Sequence, residues 1–507
     1  MEISRRNFLK TASIGAGLMV ASGWSPFAYA ANEQVRIGAI GTGGQGSFHL
    51  REGIARSASE GLYLTSVCDV YTPHLEGGWR EAGGPARESL EPEKRLRKYM
   101  DYHEMLDKED LQGVVITTPL NTHYQMVMDS LDSGRHVFVE KCMCYTMEQC
   151  REVVIKSHET GKLIQVGHQR RYNPRYNHAV AMARGDYSDP DPAKHKPGVL
   201  GRINHIDAQW HRNNDWRRAV PDRELTPEEK QFIKTDLEHH INWRLYWETS
   251  DGLMTELGAH QIDVAAWFLN AWPTKVSGYG GIDYWRDGRE CPDNVNCILE
   301  FEMTPGKAGY KEIEPKTKFQ KEYLGPDGKP ACNQPYKVVM CYSSITGNAN
   351  KGAAEFIQGD EGTFELTEAD CKFYREANSN VKWFDGARKD AADANAVLIT
   401  SGSSLLLSNK ANKTAEHIIV NMDKTPDQIQ FEGFTNDIKY GTIPKANAMV
   451  GLRSAICALA ATRAIKEGTE VVIPPEWYTF DFPTDHMNPD MVSEYGPAER
   501  KPATTES

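Results

Sequence analysis

Short apolar runs alternate with segments of helical periodicity along the first third of the chain. A β-branched run begins at Val35 and ends in a glycine-rich turn. Four further strands are predicted between helix-compatible segments such as 124–133: Leu62–Cys68, Gly113–Ile116, His136–Val139 and 163–166. Continuous apolar strands joined by helices are typical of a parallel sheet covered on both faces. We therefore predict an α/β, doubly wound parallel sheet for residues 31–168.

The pattern changes after about residue 170, where strands of alternating polarity replace the continuous apolar ones. Strands are predicted at 201–210, 276–285, 295–302, 337–344, 354–358, 362–366 and 470–473, and a long helix at 447–466. Residues 304–337 are rich in Lys, Gly, Pro and Glu, which predicts an exposed insertion. The pattern indicates a second, α+β domain (169–488) with an open, largely antiparallel sheet, followed by a polar tail (489–507).

The turn after the first strand contains a phosphate-binding pattern. Gly41, Gly43 and Gly46 are spaced as G-x-G-x-x-G, and Gly44 adds another glycine. The first glycine permits a tight turn, the second lets the backbone approach a pyrophosphate, and the third lets helix and strand pack closely. Because a strand precedes the motif and a helix follows it, the sequence predicts a Rossmann-type dinucleotide site.

Chemically informative side chains stand where other strands of this sheet end, and ligands bind at that edge. These residues are Asp69, Thr118, Pro119, Glu140 and Lys141. Asp69 is expected to accept hydrogen bonds from the adenosine ribose, although it lies farther from Gly41 than the usual ~20 residues. A small insertion in the first helix would account for that distance. Since this carboxylate would repel a 2′-phosphate, NAD is favoured over NADP.

The first thirty residues have the pattern of an export signal. Residues 4–10 read Ser-Arg-Arg-Asn-Phe-Leu-Lys, a twin-arginine motif, and a moderately apolar run leads to the small residues of 28–30. We expect residues 1–30 to be a Tat signal peptide recognised by the Tat export machinery, and the protein to be periplasmic or otherwise exported. The other interpretation is an arginine pair before a weak membrane anchor.

Composition narrows the class of partner. Lysine and arginine number 58 against 70 acidic residues, a net charge of −12, which argues against nucleic-acid binding. The ten cysteines lack paired zinc spacing, so no metal site is predicted and packing is the expected role of most of them. No later apolar run reaches the ~20 residues of a membrane span.

Candidate acid–base chemistry lies at Lys141 and in the segment 251–263. On an α-helix, Glu256 and His260 are four residues apart and His260 and Asp263 three apart, so the three would share one stripe. A histidine oriented by a carboxylate and facing a lysine suits removal of a hydroxyl proton while hydride leaves the same carbon. The alternative is a solvated helix face with a structural histidine–carboxylate pair.

Several motifs in order resemble those of the Gfo/Idh/MocA family of oxidoreductases. They are the glycine turn, Thr-Pro-Leu-Asn-Thr-His (118–123), Gly-Arg-His-Val-Phe-Val-Glu-Lys (134–141), Gly-His-Gln-Arg-Arg-Tyr-Asn-Pro (167–174) and Gly-Ala-His-Gln-Ile-Asp (258–263). The resemblance implies an N-terminal Rossmann domain, a C-terminal domain with an open sheet, and a homo-oligomer. It also implies that Asn121 and His123 join the cofactor site and that Lys141 and His260 act on a substrate hydroxyl, assisted by Glu256.

Two departures from the family pattern stand at the expected site. Cys142 replaces the proline that usually follows the lysine, and Glu256 replaces an aspartate. The export signal and the long insertion resemble the glucose-fructose oxidoreductase-like branch, in which the cofactor can stay bound. A tightly held NAD is therefore expected.

The predicted activity is oxidation of a secondary hydroxyl of a sugar or glycoside by NAD. Glu256 or Asp263 is expected to orient His260. Aromatic rings stack on sugars and arginines bond hydroxyls, which gives six candidates for the sugar pocket: Arg171, Tyr172, Trp216, Arg217, Trp243 and Arg244. Oxidation at the third carbon would also permit elimination, so an NAD-dependent glycosidase is the alternative. The sequence lacks the Tyr-x-His-Gly motif expected of that group. A non-catalytic NAD-bearing binding protein is the third interpretation.

Overall fold

The computed structural model describes residues 34–186, 194–307, 309–376, 379, 381, 396–401, 415–420 and 422–484. The expected export signal and polar tail lie outside these residues. Within them, six parallel strands form one sheet in the order β3-β2-β1-β4-β5-β6. The strands are β1 Val35–Ile40, β2 Leu62–Cys68, β3 Arg97–Tyr99, β4 Gly113–Ile116, β5 His136–Val139 and β6 Ile164–Val166. This order confirms the predicted doubly wound sheet.

Helices cover this parallel sheet. They are α1 Gly44–Phe48, α2 Thr72–Glu81, α3 Gly84–Arg87, α4 Tyr102–Lys108, α5 His123–Asp132 and α6 Met147–Thr160. The chain after α1 continues as a π-helical stretch, His49–Ile54, and a 3₁₀ segment, Ala55–Glu60. Thr146 and Gln149 form a reciprocal capping box at the start of α6, which explains why that helix begins there.

Ten strands of the described chain form a second sheet, in the order β16-β17-β15-β14-β13-β9-β12-β11-β10-β18. They are β9 Ile203–His211, β10 Pro273–Gly281, β11 Asn294–Met303, β12 Tyr336–Ile345, β13 Ala353–Gly359, β14 Gly362–Leu366, β15 Cys371–Arg375, β16 Ala396–Ser401, β17 Ala415–Val420 and β18 Val471–Val472; β7 Gly185–Asp186 and β8 Lys196–Pro197 pair separately. Among the described strand pairs of this second sheet, only β9 and β12 are parallel, so the predicted largely antiparallel sheet is confirmed.

One face of the second sheet is buried and the other is open. In β11, Val295, Cys297 and Leu299 are buried, whereas Ile298 is 54% exposed. Alternating burial along β11 is what an antiparallel strand with one solvated face requires.

The other described helices are α7 Pro174–Arg184, α8 Glu229–Phe232, α9 Leu237–Ile241, α10 Ala259–Leu269, α11 Lys318–Glu322, α12 Pro426–Tyr440 and α13 Ala448–Glu467. Within the predicted insertion, the elements are the short helix α11, a 3₁₀ turn at Ala331–Asn333 and the start of β12.

The two C-terminal helices pack into the protein core. Phe431, Phe434 and Ile438 of α12 lie in the same buried cluster as Val35 and Ile37 of β1. Helix α13 is the one described helix long and apolar enough to cross a membrane, and 89% of its apolar window is buried inside the protein. Both helices therefore serve as core elements.

All ten cysteines belong to the described part of the chain, and none is in a disulfide. Eight are buried, including Cys142, Cys144 and Cys150 near the parallel sheet. Their expected role in packing is consistent with these positions.

Candidate active site

The glycine turn closes tightly between β1 and α1. Gly41 has a φ of +86°, a conformation that side chains disfavour, and its N–H donates to the Cys68 carbonyl at 2.8 Å. A Cβ at Gly46 would lie 2.0 Å from the carbonyl oxygen of Gly41. Only glycine at both positions allows the helix to start this close to the strand, as the motif predicted.

The outer side of the turn forms a cradle for a phosphate-bearing ligand. The nearest side chains to Gly43 and Gly44 belong to His74 and Arg218, at 3.3 Å and 2.8 Å from an added Cβ. At the end of the neighbouring β4, the Asn121 side-chain oxygen is buried without a hydrogen-bond partner among the described residues. A bare glycine cradle and an unsatisfied amide oxygen fit a dinucleotide lying across these strand ends.

Asp69 ends β2 beside the turn. Its carboxylate accepts a hydrogen bond from the Thr42 N–H at 2.8 Å and from the Tyr71 N–H at 2.9 Å. The side chain is 8% exposed, so it holds the turn in shape as well as standing at the expected ribose position.

The segment after β4 carries the other predicted cofactor residues. Thr118 and Pro119 lead into a 3₁₀ turn, Leu120–Thr122, that contains Asn121. His123 is 2% exposed, and its ring nitrogens lie 3.0 Å from the Thr118 carbonyl and 2.9 Å from the Cys142 carbonyl. This ring therefore ties two strand-end loops together, and the expected cofactor contact by His123 stays a prediction.

Glu140 and Lys141 follow β5. The Glu140 carboxylate lies 2.5 Å from Nε2 of His49. Burial acts to raise the pKa of Glu140, but the His49 hydrogen bond and the nearby Lys141 charge lower it below its ordinary value. Lys141 Nζ donates to the main-chain carbonyl of Glu256 at 2.7 Å, and the Lys141–Cys142 peptide bond is cis. The lysine thereby bridges the two domains.

His260 lies at the start of α10 and is 5% exposed. Burial lowers the pKa of its imidazole well below the ordinary value, and the charges of Arg170 and Lys141 lower it further. Nδ1 has no hydrogen-bond partner among the described residues, and the ring lies 5.4 Å from that of Trp210. The structure thus places a neutral imidazole, able to accept a proton, in the second domain near the Lys141 ammonium.

The predicted stripe of Glu256, His260 and Asp263 does not form, which corrects the sequence interpretation. Residues Met254–Gly258 are π-helical, so Glu256 does not stand one α-helical turn before His260. The Glu256 carboxylate accepts a hydrogen bond from Arg244 Nε at 2.8 Å. Asp263 receives hydrogen bonds from Arg171 at 2.8–3.0 Å. In the described structure, neither carboxylate is hydrogen-bonded to the imidazole.

Glu256 nevertheless belongs to the site. Burial acts to raise the pKa of its carboxyl, but Arg244 and Lys141 lower it below the ordinary value. The carboxylate therefore stays ionised between two cations. Its main-chain carbonyl holds the Lys141 ammonium, and its side chain positions Arg244.

The six predicted sugar-pocket residues divide into two groups. Arg171 is 1% exposed and bound to Asp263, and Tyr172 is 2% exposed with its hydroxyl 3.4 Å from the Ala446 nitrogen. Arg217 is paired with Asp287 and Glu238. Protein groups already occupy polar atoms of these three side chains, so each has a structural role, and their part in a sugar pocket stays a prediction. Trp216, Trp243 and Arg244 are partly exposed and remain candidates, with the Arg244 guanidinium stacked 4.2 Å from the Trp243 ring.

Sequence reasoning missed Trp210 and Arg212. Trp210 packs against His260, and the Arg212 guanidinium lies 5.3 Å from Trp210 and 5.0 Å from Trp216. No carboxylate of the described chain forms an ion pair with Arg212, so its donors are available to a ligand. Their location at the end of β9, close in sequence to the predicted sugar-pocket residue Trp216, could have indicated them.

The comparisons with known proteins agree with this geometry. Residues 35–168 match a family described as "Oxidoreductase family, NAD-binding Rossmann fold", and residues 195–308 match the GFO/IDH/MocA C-terminal domain. A glycosyl hydrolase family 109 protein from Shewanella baltica (strain OS185) is 26% identical over 267 residues, covering 49% of this chain and 51% of that protein. The chain thus spans about half the length of that curated relative.

Two further similarities concern an inositol dehydrogenase and a solved structure. The scyllo-inositol 2-dehydrogenase (NAD(+)) of Bacillus subtilis (strain 168) is 27% identical over 300 residues, 58% of this chain and 72% of that enzyme. A crystal structure of an oxidoreductase domain protein from Kribbella flavida superposes with a TM-score of 0.58 at 15% identity, covering 87% of this chain and all of that one. The glycine turn, the strand order and both family matches show that this chain belongs to the Gfo/Idh/MocA family of NAD-binding oxidoreductases.

Proposed function

We propose that this protein is an NAD-dependent dehydrogenase that oxidises a secondary hydroxyl of a sugar or glycoside. The observation that carries the proposal is that Lys141 of the first domain bonds to the segment of the second domain that leads into His260. The ammonium of the first domain bonds to the turn that precedes a neutral, buried imidazole of the second. A proton acceptor and a cation beside the nicotinamide end of a dinucleotide groove suit alcohol oxidation.

The protein groups have distinct roles in this proposal. The His260 imidazole accepts the hydroxyl proton, since its lowered pKa keeps it unprotonated at neutral pH. The Lys141 ammonium stabilises the negative charge that develops on the oxygen. Bound NAD supplies the hydride acceptor. Trp210, Trp216 and Arg212 supply stacking faces and hydrogen-bond donors for a polyhydroxylated ring.

The test is oxidation of a panel of aldoses, inositols and glycosides, followed through the absorbance of reduced nicotinamide. We expect Lys141→Gln and His260→Gln to lower kcat by about 10²–10³-fold, the size of lost transition-state stabilisation. NAD binding should persist in both variants. Lys98→Gln, which removes a surface lysine paired with Glu76, is the matched control and should retain full activity. Full activity in the Lys141 or His260 variant would refute the mechanism.

A glycosidase that uses NAD transiently is the second candidate, and similarity to the family 109 glycosyl hydrolases favours it. Oxidation at the third sugar carbon acidifies the neighbouring C–H and opens the glycosidic bond to elimination. Incubation with nitrophenyl glycosides separates the two functions. A 3-keto glycoside with reduced cofactor indicates the dehydrogenase, whereas free sugar with no net cofactor change indicates the glycosidase.

We also propose that the protein is exported and oligomeric. The twin-arginine motif supports export, and the open face of the second sheet, with Tyr279 80% exposed and Ile298 54% exposed, supports contact between copies. Cell fractionation of the wild type and of an Arg5→Lys/Arg6→Lys variant tests export. Light scattering of the purified protein tests assembly.

A further inference from the structure

The Arg218 side chain lies over the glycine turn although it belongs to the second domain. Its Nη2 lies 2.8 Å from the position of a Cβ on Gly44. Within the described ranges the Arg218 guanidinium has neither a hydrogen bond nor an ion pair. Burial lowers its pKa below the ordinary value, and the nearby Arg244 charge lowers it further. A partly buried cation next to a second cation calls for an anion that the chain does not supply.

Arg217 and Arg223, which are close to Arg218 in the sequence, are neutralised by the protein, whereas, among the described residues, Arg212 at the start of the segment is not. Arg217 is paired with Asp287 and Glu238, and both guanidinium branches of Arg223 contact Glu229, at 2.8 Å and 2.9 Å. Arg218 therefore differs from them in location and in pairing. Its partner is expected in the groove and not in the chain.

The main chain of Arg218 is fixed in place. Its N–H donates to the Asn242 side-chain oxygen at 2.7 Å, and its carbonyl accepts from the Asn242 amide nitrogen at 3.1 Å. Asn242 is 2% exposed and also donates to Glu238. The guanidinium is thus presented from a positioned backbone, which reduces the entropy lost when it binds a ligand.

The segment that carries Arg218, residues 212–246, is called the strap here. It packs on the loop that follows Asp69: Tyr71 forms a buried cluster with Ile233 and Leu237 of the strap. Glu229, buried within the strap, accepts a hydrogen bond from the Thr72 N–H at 3.1 Å. The strap therefore joins the second domain to the adenosine side of the groove while Arg218 reaches the glycine turn.

We propose that Arg218 binds the pyrophosphate of NAD from the second domain, so that the strap clamps the dinucleotide and slows its release. The site between a glycine turn and an arginine fork matches the charge and hydrogen-bonding pattern of a diphosphate. The inference rests on the NAD-dependent function proposed above, and it gives a physical basis for the tightly held NAD that the family resemblance predicts.

The test compares nucleotide binding by the full chain and by Arg218→Gln, using quenching of protein fluorescence. Losing one charge-assisted contact should raise the Kd of both NAD and ADP-ribose by about 10–100-fold, while the Kd of adenosine, which has no phosphate, should not change. The variant should also lose NAD faster on gel filtration. Lys230→Gln removes an exposed lysine of the strap that pairs with Glu224 and should bind NAD as the wild type does.

Unchanged NAD affinity in Arg218→Gln, or an equal loss for adenosine, would overturn the proposal. Should that variant fail to fold, Arg218→Lys is measured in its place. It keeps the charge but not the fork, so it should bind NAD more weakly than the wild type, and equal binding would also overturn the proposal. Nucleotide binding is measured without sugar, so the two proposals can fail separately. If Arg218→Gln binds NAD more weakly but the wild type oxidises no sugar, only the proposed function is refuted. If the wild type oxidises a sugar but Arg218→Gln binds nucleotide normally, only the clamp is refuted.

Discussion

Replacing Asp263 with asparagine separates a structural role from the catalytic one that its spacing suggested. Its carboxylate and the Arg171 guanidinium are each 1% exposed and meet in three hydrogen bonds of 2.8–3.0 Å. Removing the charge from one partner of such a buried pair costs about 3–5 kcal/mol of the free energy of unfolding. For a cooperative unit of 150–250 residues, this lowers Tm by about 6–20 °C.

The assay is thermal unfolding of Asp263→Asn, with a pH–rate profile recorded well below the transition. Asp110→Asn is the matched control, because Asp110 pairs with Arg36 while 84% exposed, and its loss should cost under about 1 kcal/mol. We expect the Asp263 variant to melt early and to keep the shape of its pH–rate profile. A Tm within 1 °C of the control would refute the structural role, and a displaced pH–rate profile would show that Asp263 acts on the imidazole.

Three further predictions concern acid stability, the turn and the site charge. Burial lowers the pKa of His168 to about 4. Below pH ~6.5, therefore, this histidine binds a proton in the unfolded chain but stays neutral in the folded chain. Stability conferred by the neutral ring is lost as pH falls from 6.5 toward 4. Between pH 6.5 and 5, His168→Gln should therefore reduce the loss in free energy of unfolding, measured by urea denaturation, by about 1.5 kcal/mol; equal losses would contradict this. Gly46→Ala should abolish NAD binding measured by fluorescence, because its Cβ meets the Gly41 carbonyl at 2.0 Å, whereas Gly77→Ala, with open space around it, should bind normally. Arg244→Gln should raise the pKa of Glu256 and move the acid limb of kcat/KM to higher pH; an unmoved limb would exclude ionised Glu256 from the reaction.

Most of the fold could be predicted because its signals are local. Strands Leu62–Cys68, Gly113–Ile116, His136–Val139 and Gly362–Leu366 have the predicted bounds, since apolar runs and turn residues mark both ends. The position of α12 could not be predicted in this way. Its packing on β1 joins residues almost 400 positions apart, and no local pattern encodes such a contact.

In the candidate site too, features with a local sequence signal could be predicted, and those that depend on the tertiary fold could not. Gly41 and Gly46 were predictable, because backbone geometry alone requires glycine there. The stripe through Glu256 failed because its spacing argument assumed 3.6 residues per turn, and a π-helical stretch widens the turn. Arg171 and Asp263 are 92 positions apart, so their pairing depends on the tertiary fold. The roles of Lys141 and His260 remain predictions that the kinetic tests above address.

Helix α12 has a consequence for biosynthesis. During synthesis, β1 to β6 emerge from the ribosome long before Phe431 and Phe434 are made. In the folded protein both phenylalanines are fully buried beside those strands. Until then the hydrophobic surface that α12 covers in the folded protein stays exposed on the nascent nucleotide-binding domain, where chaperones can bind or aggregation can begin. Maturation of this domain must therefore be post-translational, and fragments that stop before residue 426 should be recovered mainly as insoluble material.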